Sequence, residues 1–361
     1  MDSDLYRRLG ERLNENMVRY PLIEPVLVFL KRVFTEEQAA LGAEFPLGAH
    51  TARDLAVALD REESALADLL ETMADRGQIF ASTNDEGETE YSLVPFVPGL
   101  VEFQSMRGTE TEEDVETAKI VRAMNQAVEA LQSKYLENPE VARKIPAGLR
   151  TIAVEEELPA NTAIRSHEQV SKIIDREDSF AVGYCHCRHT NKLTGNPCEI
   201  EDAPARSCFY FAKVADYMVE RGFAERVTRD QCMQILKECE EAGLVHNVSD
   251  IVGSNLVLCN CCGCCCGFLT MMKKHRGLRN VAPSNFKMIV DTDTCTGCEE
   301  CISRCAVEAI SLRDDCAHID HDYCIGCGNC ASICPAESLS MVRESNTEPA
   351  RIPIDLVGLG R

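Results

Sequence analysis

The sequence contains no tryptophan, and aromatic residues make up only 6% of its 361 residues. Its core must therefore be packed mainly from Leu, Val, Ile and Ala side chains. Long apolar runs are also missing, because the most hydrophobic early stretch, residues 20–30, contains Pro21, Glu24 and Pro25. That stretch is too short to span a bilayer, and the residues after Arg7-Arg8 are too polar for a signal peptide. We therefore expect no membrane span.

Basic residues are scarce. The chain has 37 lysines and arginines against 59 aspartates and glutamates, a formal net charge of −22. Such a surface repels a phosphate backbone, so nucleic acid is a poor default partner. The charge suits docking onto a basic patch of another protein.

Several common motifs are absent as well, since the sequence has no GxGxxG, no P-loop and no HExxH. Cysteine is missing from the first 184 residues, yet 21 cysteines follow. A chain this long, without a signal peptide, is not a secreted disulfide scaffold. We therefore expect a cytoplasmic protein in a reducing compartment, with its cysteines acting as metal ligands.

The pattern of elements predicts an α+β multidomain protein with a winged-helix-like N-terminal region, a mostly helical middle and a compact cysteine-rich C-terminal domain. The predicted regions are 1–105 (winged-helix-like), 106–180 (helical linker), 181–285 (cysteine-rich), 286–343 (a cysteine repeat) and 344–361 (a tail). In the second region, Ile120, Met124, Ala127 and Leu131 predict the apolar face of one long helix.

The N-terminal region has the element order of a winged helix. Thr51 is expected to cap a short helix, a second helix is expected over residues 62–76, and a strand is expected over residues 90–94. Residues 51–94 carry eleven acidic and three basic side chains, and the helix that would enter a DNA groove is itself acidic. We therefore favour a protein-docking or dimerisation module over DNA binding.

The strongest pattern is a cysteine motif that occurs twice. Cys295, Cys298, Cys301 and Cys305 recur 29 residues later, and the match continues past the last cysteine of each copy. The second set is Cys324, Cys327, Cys330 and Cys334. Three thiolates separated by two-residue gaps can wrap three corners of an iron–sulfur cubane, and the backbone N–H groups of the loop can face its sulfides. Gly297, Gly326 and Gly328 allow the backbone angles that such a loop needs.

Over about 58 residues this repeat resembles the bacterial two-cluster ferredoxins. The resemblance implies that cluster I is held by Cys295, Cys298, Cys301 and Cys334. It implies that cluster II is held by Cys324, Cys327, Cys330 and Cys305. Ala306 stands where that family usually has proline, and we expect ligation to be retained there. Two zinc knuckles are the alternative, but each copy already supplies four thiolates without a histidine.

A second group of cysteines lies upstream. Its members are Cys185, Cys187, Cys198, Cys208, Cys259, Cys261, Cys262, Cys264, Cys265 and Cys266. We predict that they bind one or two further iron–sulfur clusters, one drawing on Cys185, Cys187, Cys198 and Cys208 and the other on residues 259–266. Adjacent cysteines point in divergent directions, so these residues cannot all serve one ion. Basic residues between Lys273 and Arg279 can offset cluster charge or dock an acidic carrier.

Two alternatives remain for the upstream cysteines. One is a zinc site using Cys185 and Cys187 with His186 or His189, and the other is a reactive thiol or disulfide. Cys232 and Cys239 share the apolar face of a predicted helix and are expected to be core thiols, while Cys316 is expected to be a free thiol.

As a whole, the chain resembles a group of prokaryotic iron–sulfur proteins common in anaerobes, on the Pro95–Gly99 segment, the CxC and NCCGCCC segments and the ferredoxin repeat. That resemblance implies electron transfer with a redox partner protein, either a ferredoxin or an oxidoreductase. The alternatives are a redox enzyme acting on a small substrate at the upstream cysteines and a redox-sensing transcriptional regulator.

Overall fold

A computed structural model describes residues 3–15, 19–142, 144–145, 147–249 and 257–347. Most of the predicted tail, residues 348–361, lies outside this range. No helix in the described ranges is long and apolar enough to cross a membrane.

The N-terminal region packs five helices against a small sheet. Its elements are α1 (Ser3–Leu13), α2 (Glu24–Val33), α3 (Glu36–Glu44), β1 (His50–Thr51), α4 (Ala52–Leu59), α5 (Glu63–Asp75), β2 (Ile79–Thr83) and β3 (Thr89–Leu93). The three strands form an antiparallel sheet in the order β1-β3-β2. Thr51 caps α4 in a capping box with Asp54, as predicted, and the left-handed backbone of Gly77 (φ 68°) follows α5.

A long helix connects this region to the rest of the molecule. After the short α6 (Val101–Phe103), α7 runs over Glu112–Leu136, and α8 (Pro139–Ala142) follows. The predicted apolar face of α7 was partly wrong. Val121, Met124 and Val128 are buried, whereas Leu131 is 46% exposed. The buried face is therefore rotated from the one that the sequence pattern indicated, although Met124 belongs to both.

The prediction of a mostly helical middle was wrong, because this part is built around a seven-stranded sheet. Its strands are β4 (Leu149–Ile152), β5 (Phe180–Tyr184), β6 (Arg206–Phe211), β7 (Ala224–Arg226), β8 (Val245–Ser249), β9 (Val257–Cys261) and β10 (Val281–Ala282). They lie in the order β10-β4-β8-β9-β6-β5-β7, and every pair except β10–β4 is antiparallel. Residues 206–211 and 245–249 are almost wholly buried, so these strands lack the polar alternation of a half-exposed sheet.

Five helices lie between and after these strands. They are α9 (Val170–Ile174), α10 (His186–Leu193), α11 (Ala212–Glu220), α12 (Arg229–Glu241) and α13 (Gly267–Lys274). Thr228 caps α12 in a capping box, and Cys232, Leu236 and Cys239 are buried on one face of that helix. The prediction that Cys232 and Cys239 are core thiols is confirmed.

The C-terminal part consists of two antiparallel strand pairs and one short helix. Its elements are β11 (Phe286–Val290), α14 (Glu300–Ser303), β12 (Ile310–Arg313), β13 (Cys316–Ile319) and β14 (Leu339–Arg343). β11 pairs with β14, and β12 pairs with β13. The Arg343 guanidinium joins this part to the middle region by a pair of 2.8 Å contacts to the buried Glu168 carboxylate.

Candidate metal centres

The first cysteine cavity combines thiols from both copies of the repeat. Cys295, Cys298 and Cys301 come from the first copy, and Cys334 comes from the second. The empty space between them is about 370 Å³, including its opening to solvent. The structure thus brings together the four thiols that the ferredoxin resemblance implied for cluster I.

The second cysteine cavity also combines thiols from both copies of the repeat, three from the second copy and one from the first. Cys324, Cys327 and Cys330 from the second copy line it together with Cys305 from the first, around about 420 Å³ of empty space that includes its opening. These are the four thiols implied for cluster II. Ala306 follows Cys305 without moving that thiol out of the cavity lining.

Backbone N–H groups point at cysteine sulfurs in both cavities. The Ala317 N–H donates to Cys295 Sγ at 3.5 Å, and the Ala309 N–H donates to Cys305 Sγ at 3.2 Å. The loop bends that allow this need glycine. Gly326 has φ 65°, and a Cβ on it would lie 2.1 Å from the Phe286 carbonyl oxygen. Such donors stabilise negative charge on sulfur.

Two thiols of the second cavity, those of Cys327 and Cys330, are poor thiolates without a cation nearby. Burial raises the pKa of Cys327 to about 12 and raises that of Cys330 well above its ordinary value. A coordinating metal reverses this tendency, because its positive charge deprotonates a bound thiol. The converging thiols, the N–H donors and the enclosed space therefore fit a thiolate-ligated cluster in each cavity.

The two cavities differ in their exposure to solvent. Cys298 of the first cavity is exposed, whereas all four cysteines of the second cavity are half-buried or buried. Exposed carboxylates surround the first cavity. They belong to Asp291, Asp293, Glu299, Glu300, Asp314 and Asp315. The second cavity faces the middle region of the chain instead.

Six upstream cysteines form what we call the six-thiol ring, in which the pKa of each thiol is shifted by its interaction with the thiols of two neighbouring cysteines. In order around the ring they are Cys185, Cys187, Cys266, Cys261, Cys259 and Cys208, which contacts Cys185 again. The sheet explains half of this ring. Cys208 on β6 is paired directly with Cys259 on β9, and Cys261 lies two residues further along the same face.

The other four upstream cysteines form a separate group, the four-thiol site. It consists of Cys198, Cys262, Cys264 and Cys265, whose sulfur atoms all lie within 4.8 Å of one another. This division differs from the predicted grouping, in which Cys198 joined Cys185, Cys187 and Cys208. The loop after α10 instead carries Cys198 to Cys264, with the two Sγ atoms 3.5 Å apart.

One arginine that the sequence did not single out lies between these two groups. Arg188 is buried, and its guanidinium donates to the Asn260 and Pro204 carbonyl oxygens and to Ser207 Oγ. Burial opposes its charge, but negative charge on cysteines of both groups outweighs burial and raises the pKa of Arg188. In the sequence, the position of Arg188 within the Cys-His-Cys-Arg-His segment was the signal that could have identified it as part of the site.

The histidines of that segment are engaged elsewhere. His186 Nδ1 lies 2.6 Å from Ser105 Oγ, and His189 Nε2 lies 2.9 Å from the Thr109 carbonyl oxygen. Both contacts join the segment to the residues before α7. Because these two nitrogens already have partners, they do not support the alternative of a zinc site that uses His186 or His189.

The basic run is also occupied within the chain. Lys273 pairs with Glu308 at 3.0 Å, Lys274 pairs with Glu129 at 2.8 Å, and the Arg276 and Arg279 guanidiniums lie 4.2 and 4.8 Å from the centre of the Tyr323 ring. These contacts hold α13 and the residues after it against the second cavity, since Tyr323 precedes Cys324.

All 21 cysteines are free of disulfide bonds. Cys316, expected to be a free thiol, lies on β13 in contact with Cys295 but does not line either cysteine cavity.

Comparison with known proteins agrees with the geometry at the C-terminal end. No curated protein and no solved structure gives a significant match to this chain. One family model does match, that of the 4Fe-4S dicluster domain, over residues 287–335, which contain all eight cysteines that line the two cavities. Residues 287–335 are therefore similar to a 4Fe-4S dicluster domain, and we call the C-terminal part of the chain the dicluster domain.

Proposed function

We propose that this protein relays single electrons between a redox partner protein and an iron–sulfur centre held by its own upstream cysteines, through clusters in the two cavities of the dicluster domain. A [4Fe-4S] cluster, when bound, takes up or releases one electron at a time. The first cavity is proposed to exchange electrons with the partner protein, and we call it the external port. The second cavity is proposed to pass electrons on within the chain. The observation that carries this proposal is the packing of the upstream cysteine loop directly on the second cavity.

That packing joins the two cysteine regions through backbone contacts. The Cα of Gly263, within the upstream loop, faces the Ala306 carbonyl so closely that a Cβ there would lie 2.4 Å from its oxygen. Cys261 and Cys266 of the six-thiol ring share one buried cluster with Ile325 and Val307, against which Cys305, Cys324 and Cys327 also pack. Electrons leaving the second cavity therefore have the six-thiol ring as an immediate neighbour.

Two further contacts hold this arrangement in place. The Arg304 guanidinium donates to the Glu240 and Glu241 carbonyl oxygens at 2.8 and 2.6 Å. The buried Asn329 amide donates to the Gly243 carbonyl oxygen at 2.9 Å. Arg304 and Asn329 each precede a cysteine of the second cavity in the sequence. These hydrogen bonds therefore hold the C-terminal end of α12 against that cavity.

The external port suits a partner with a basic surface. Exposed acidic residues surround Cys298, and steering between opposite charges raises association rates at low ionic strength. The partner is proposed to be a ferredoxin or an oxidoreductase that presents lysine or arginine side chains at its own redox centre.

Charge reversal at the port is expected to slow electron entry. In Glu299→Lys, reduction by the methyl viologen radical cation should be slower by roughly twofold to tenfold at low salt, with a weaker dependence on ionic strength. Stopped-flow absorbance of the anaerobic protein measures this rate. The control is Glu86→Lys, an equal charge change on the β2–β3 turn. Equal slowing in both variants would contradict a local port.

Metal content tests the proposal as a whole. Anaerobically prepared protein should contain at least about eight irons and eight sulfides per chain, and its reduced form should show the EPR signals of interacting [4Fe-4S] clusters. Iron well above eight would place further iron among the upstream cysteines, as a relay to them requires. Protein prepared in this way without iron or sulfide would refute the relay.

The N-terminal region is proposed to be a docking module that does not bind nucleic acid. Its resemblance to a winged helix rests on element order, and α5 would be the groove-entering helix. Glu71 and Asp75 on α5 are instead held by Arg221 of the middle region at 2.7 and 2.8 Å, and Tyr217 Oη donates to the Ala74 carbonyl oxygen. This face of α5 is therefore occupied within the chain, which disfavours the regulator alternative.

A further inference from the structure

The four-thiol site differs in its spacing from the two cavities of the dicluster domain. Its sulfur atoms all lie within 4.8 Å of one another, with Cys198 Sγ 3.5 Å from Cys264 Sγ and Cys264 Sγ 3.7 Å from Cys265 Sγ. Across the described part of the chain, this is the one group of cysteine, histidine or acidic donors that gathers so tightly. The eight cysteines of the dicluster domain do not.

Spacing of this kind reports how many metal atoms the thiolates share. Four sulfurs placed tetrahedrally around one Zn²⁺ at about 2.3 Å lie roughly 3.8 Å from one another. The four thiolates of a cubane bind four different irons and are held farther apart. The observed distances at Cys198, Cys264 and Cys265 match the first arrangement.

We propose that Cys198, Cys262, Cys264 and Cys265 bind a single tetrahedral metal ion, with Zn²⁺ as the expected ion, and that this site is separate from the iron–sulfur centres. Four thiolates complete the coordination of Zn²⁺ and leave no position for a substrate, so the site is structural. The charge of such a site is negative, and the buried guanidinium of Arg188 lies between it and the six-thiol ring.

The local chain supports one ion at this point. Three of the ligands come from the tight turn of residues 262–265, where the Cys265 N–H donates to Cys262 Sγ at 3.4 Å. Cys262 and Cys265 are 1% and 8% exposed, whereas Cys198 and Cys264 are half-buried, so the site lies at the edge of the buried core. The fourth ligand, Cys198, comes from the loop after α10 and is distant in sequence.

A zinc ion at this site would link two segments of the chain whatever the redox state of the iron–sulfur centres. Zn²⁺ has no redox chemistry, so an ion here would hold the loop after α10 against the turn of residues 262–265 during electron transfer. The turn of residues 262–265 is flanked by Cys261 and Cys266 of the six-thiol ring, and the loop that carries Cys198 follows α10, whose first turn carries Cys187. This metal link would thereby keep the six-thiol ring in a fixed position against the second cavity.

Zinc K-edge X-ray absorption of the whole protein, expressed with zinc and iron both supplied, tests this directly. We expect about one zinc per chain with four sulfur neighbours near about 2.3 Å and no nearby metal scatterer. This measurement uses the unmodified chain and does not depend on how a variant folds. Absence of bound zinc, or zinc in a nitrogen- or oxygen-rich shell, would overturn the proposal.

A variant then assigns the ion to these residues. Cys264→Ser should remove the zinc and leave the iron and sulfide content of the chain unchanged, while Cys316→Ser, at a thiol that lines neither cavity and belongs to neither upstream group, should keep both. Loss of about four irons and four sulfides from Cys264→Ser would show a cubane instead. Zinc retained in Cys264→Ser would also overturn the assignment.

Discussion

Cys305→Ala is expected to remove the cluster of the second cavity while leaving that of the first. Although Cys305 belongs to the first copy of the repeat, its thiol lines the cavity formed by Cys324, Cys327 and Cys330. Without it, one iron loses its thiolate ligand, and we expect the iron content to fall by up to about four atoms per chain. Iron and sulfide analysis of anaerobic protein, with EPR of the reduced form, measures the loss and should show one isolated cluster signal without cluster–cluster interaction.

The matched control for this experiment is Cys316→Ser. Cys316 lies in the same copy, eleven residues later, but lines neither cysteine cavity. Its iron content and its EPR spectrum should match those of the unmodified protein. Equal iron loss in both variants would show general instability, and unchanged iron in Cys305→Ala would contradict the exchange of ligands between copies.

The features predicted best from sequence are those that depend on residues close together in the chain. The 29-residue repeat indicated the two cysteine motifs from sequence alone, and the resemblance to two-cluster ferredoxins implied which four thiols belong to each cluster. Thr51 indicated where α4 begins, since a capping box is local. The spacing of Cys232 and Cys239 indicated their burial for the same reason.

The features that sequence missed depend on pairing between distant strands. The six-thiol ring exists because β6 pairs with β9 in a register that sets Cys208 beside Cys259, and nothing within either strand specifies that register. Strands of the middle sheet are buried and short, so their apolar residues do not show the alternation that identifies a strand. The alternating Cys259 and Cys261 were a signal for one face of a strand, but cysteine spacing was interpreted as ligand spacing alone.

Gly263→Ala is expected to loosen the contact between the upstream cysteines and the second cavity. The added Cβ would lie 2.4 Å from the Ala306 carbonyl oxygen and 3.0 Å from its Cα, and backbone atoms cannot rotate aside as a side chain can. Overpacking of this kind costs about 1–3 kcal/mol. Because the strain falls at the junction between the two cysteine regions, we expect a lower unfolding midpoint in urea and slower reduction of any upstream centre after the dicluster domain is reduced. Rapid-freeze EPR after mixing with reduced methyl viologen follows the second effect.

Gly267→Ala provides the matched comparison, four residues along the same loop. A Cβ at Gly267 would meet no atom within 4 Å, and alanine suits this first position of α13. That variant should keep the unfolding midpoint and the order of reduction of the unmodified protein. If Gly263→Ala behaves in the same way as Gly267→Ala, the junction with Ala306 does not control electron passage. If only Gly263→Ala separates reduction of the dicluster domain from reduction upstream, the backbone contact at Ala306 is the point where the two cysteine regions exchange electrons.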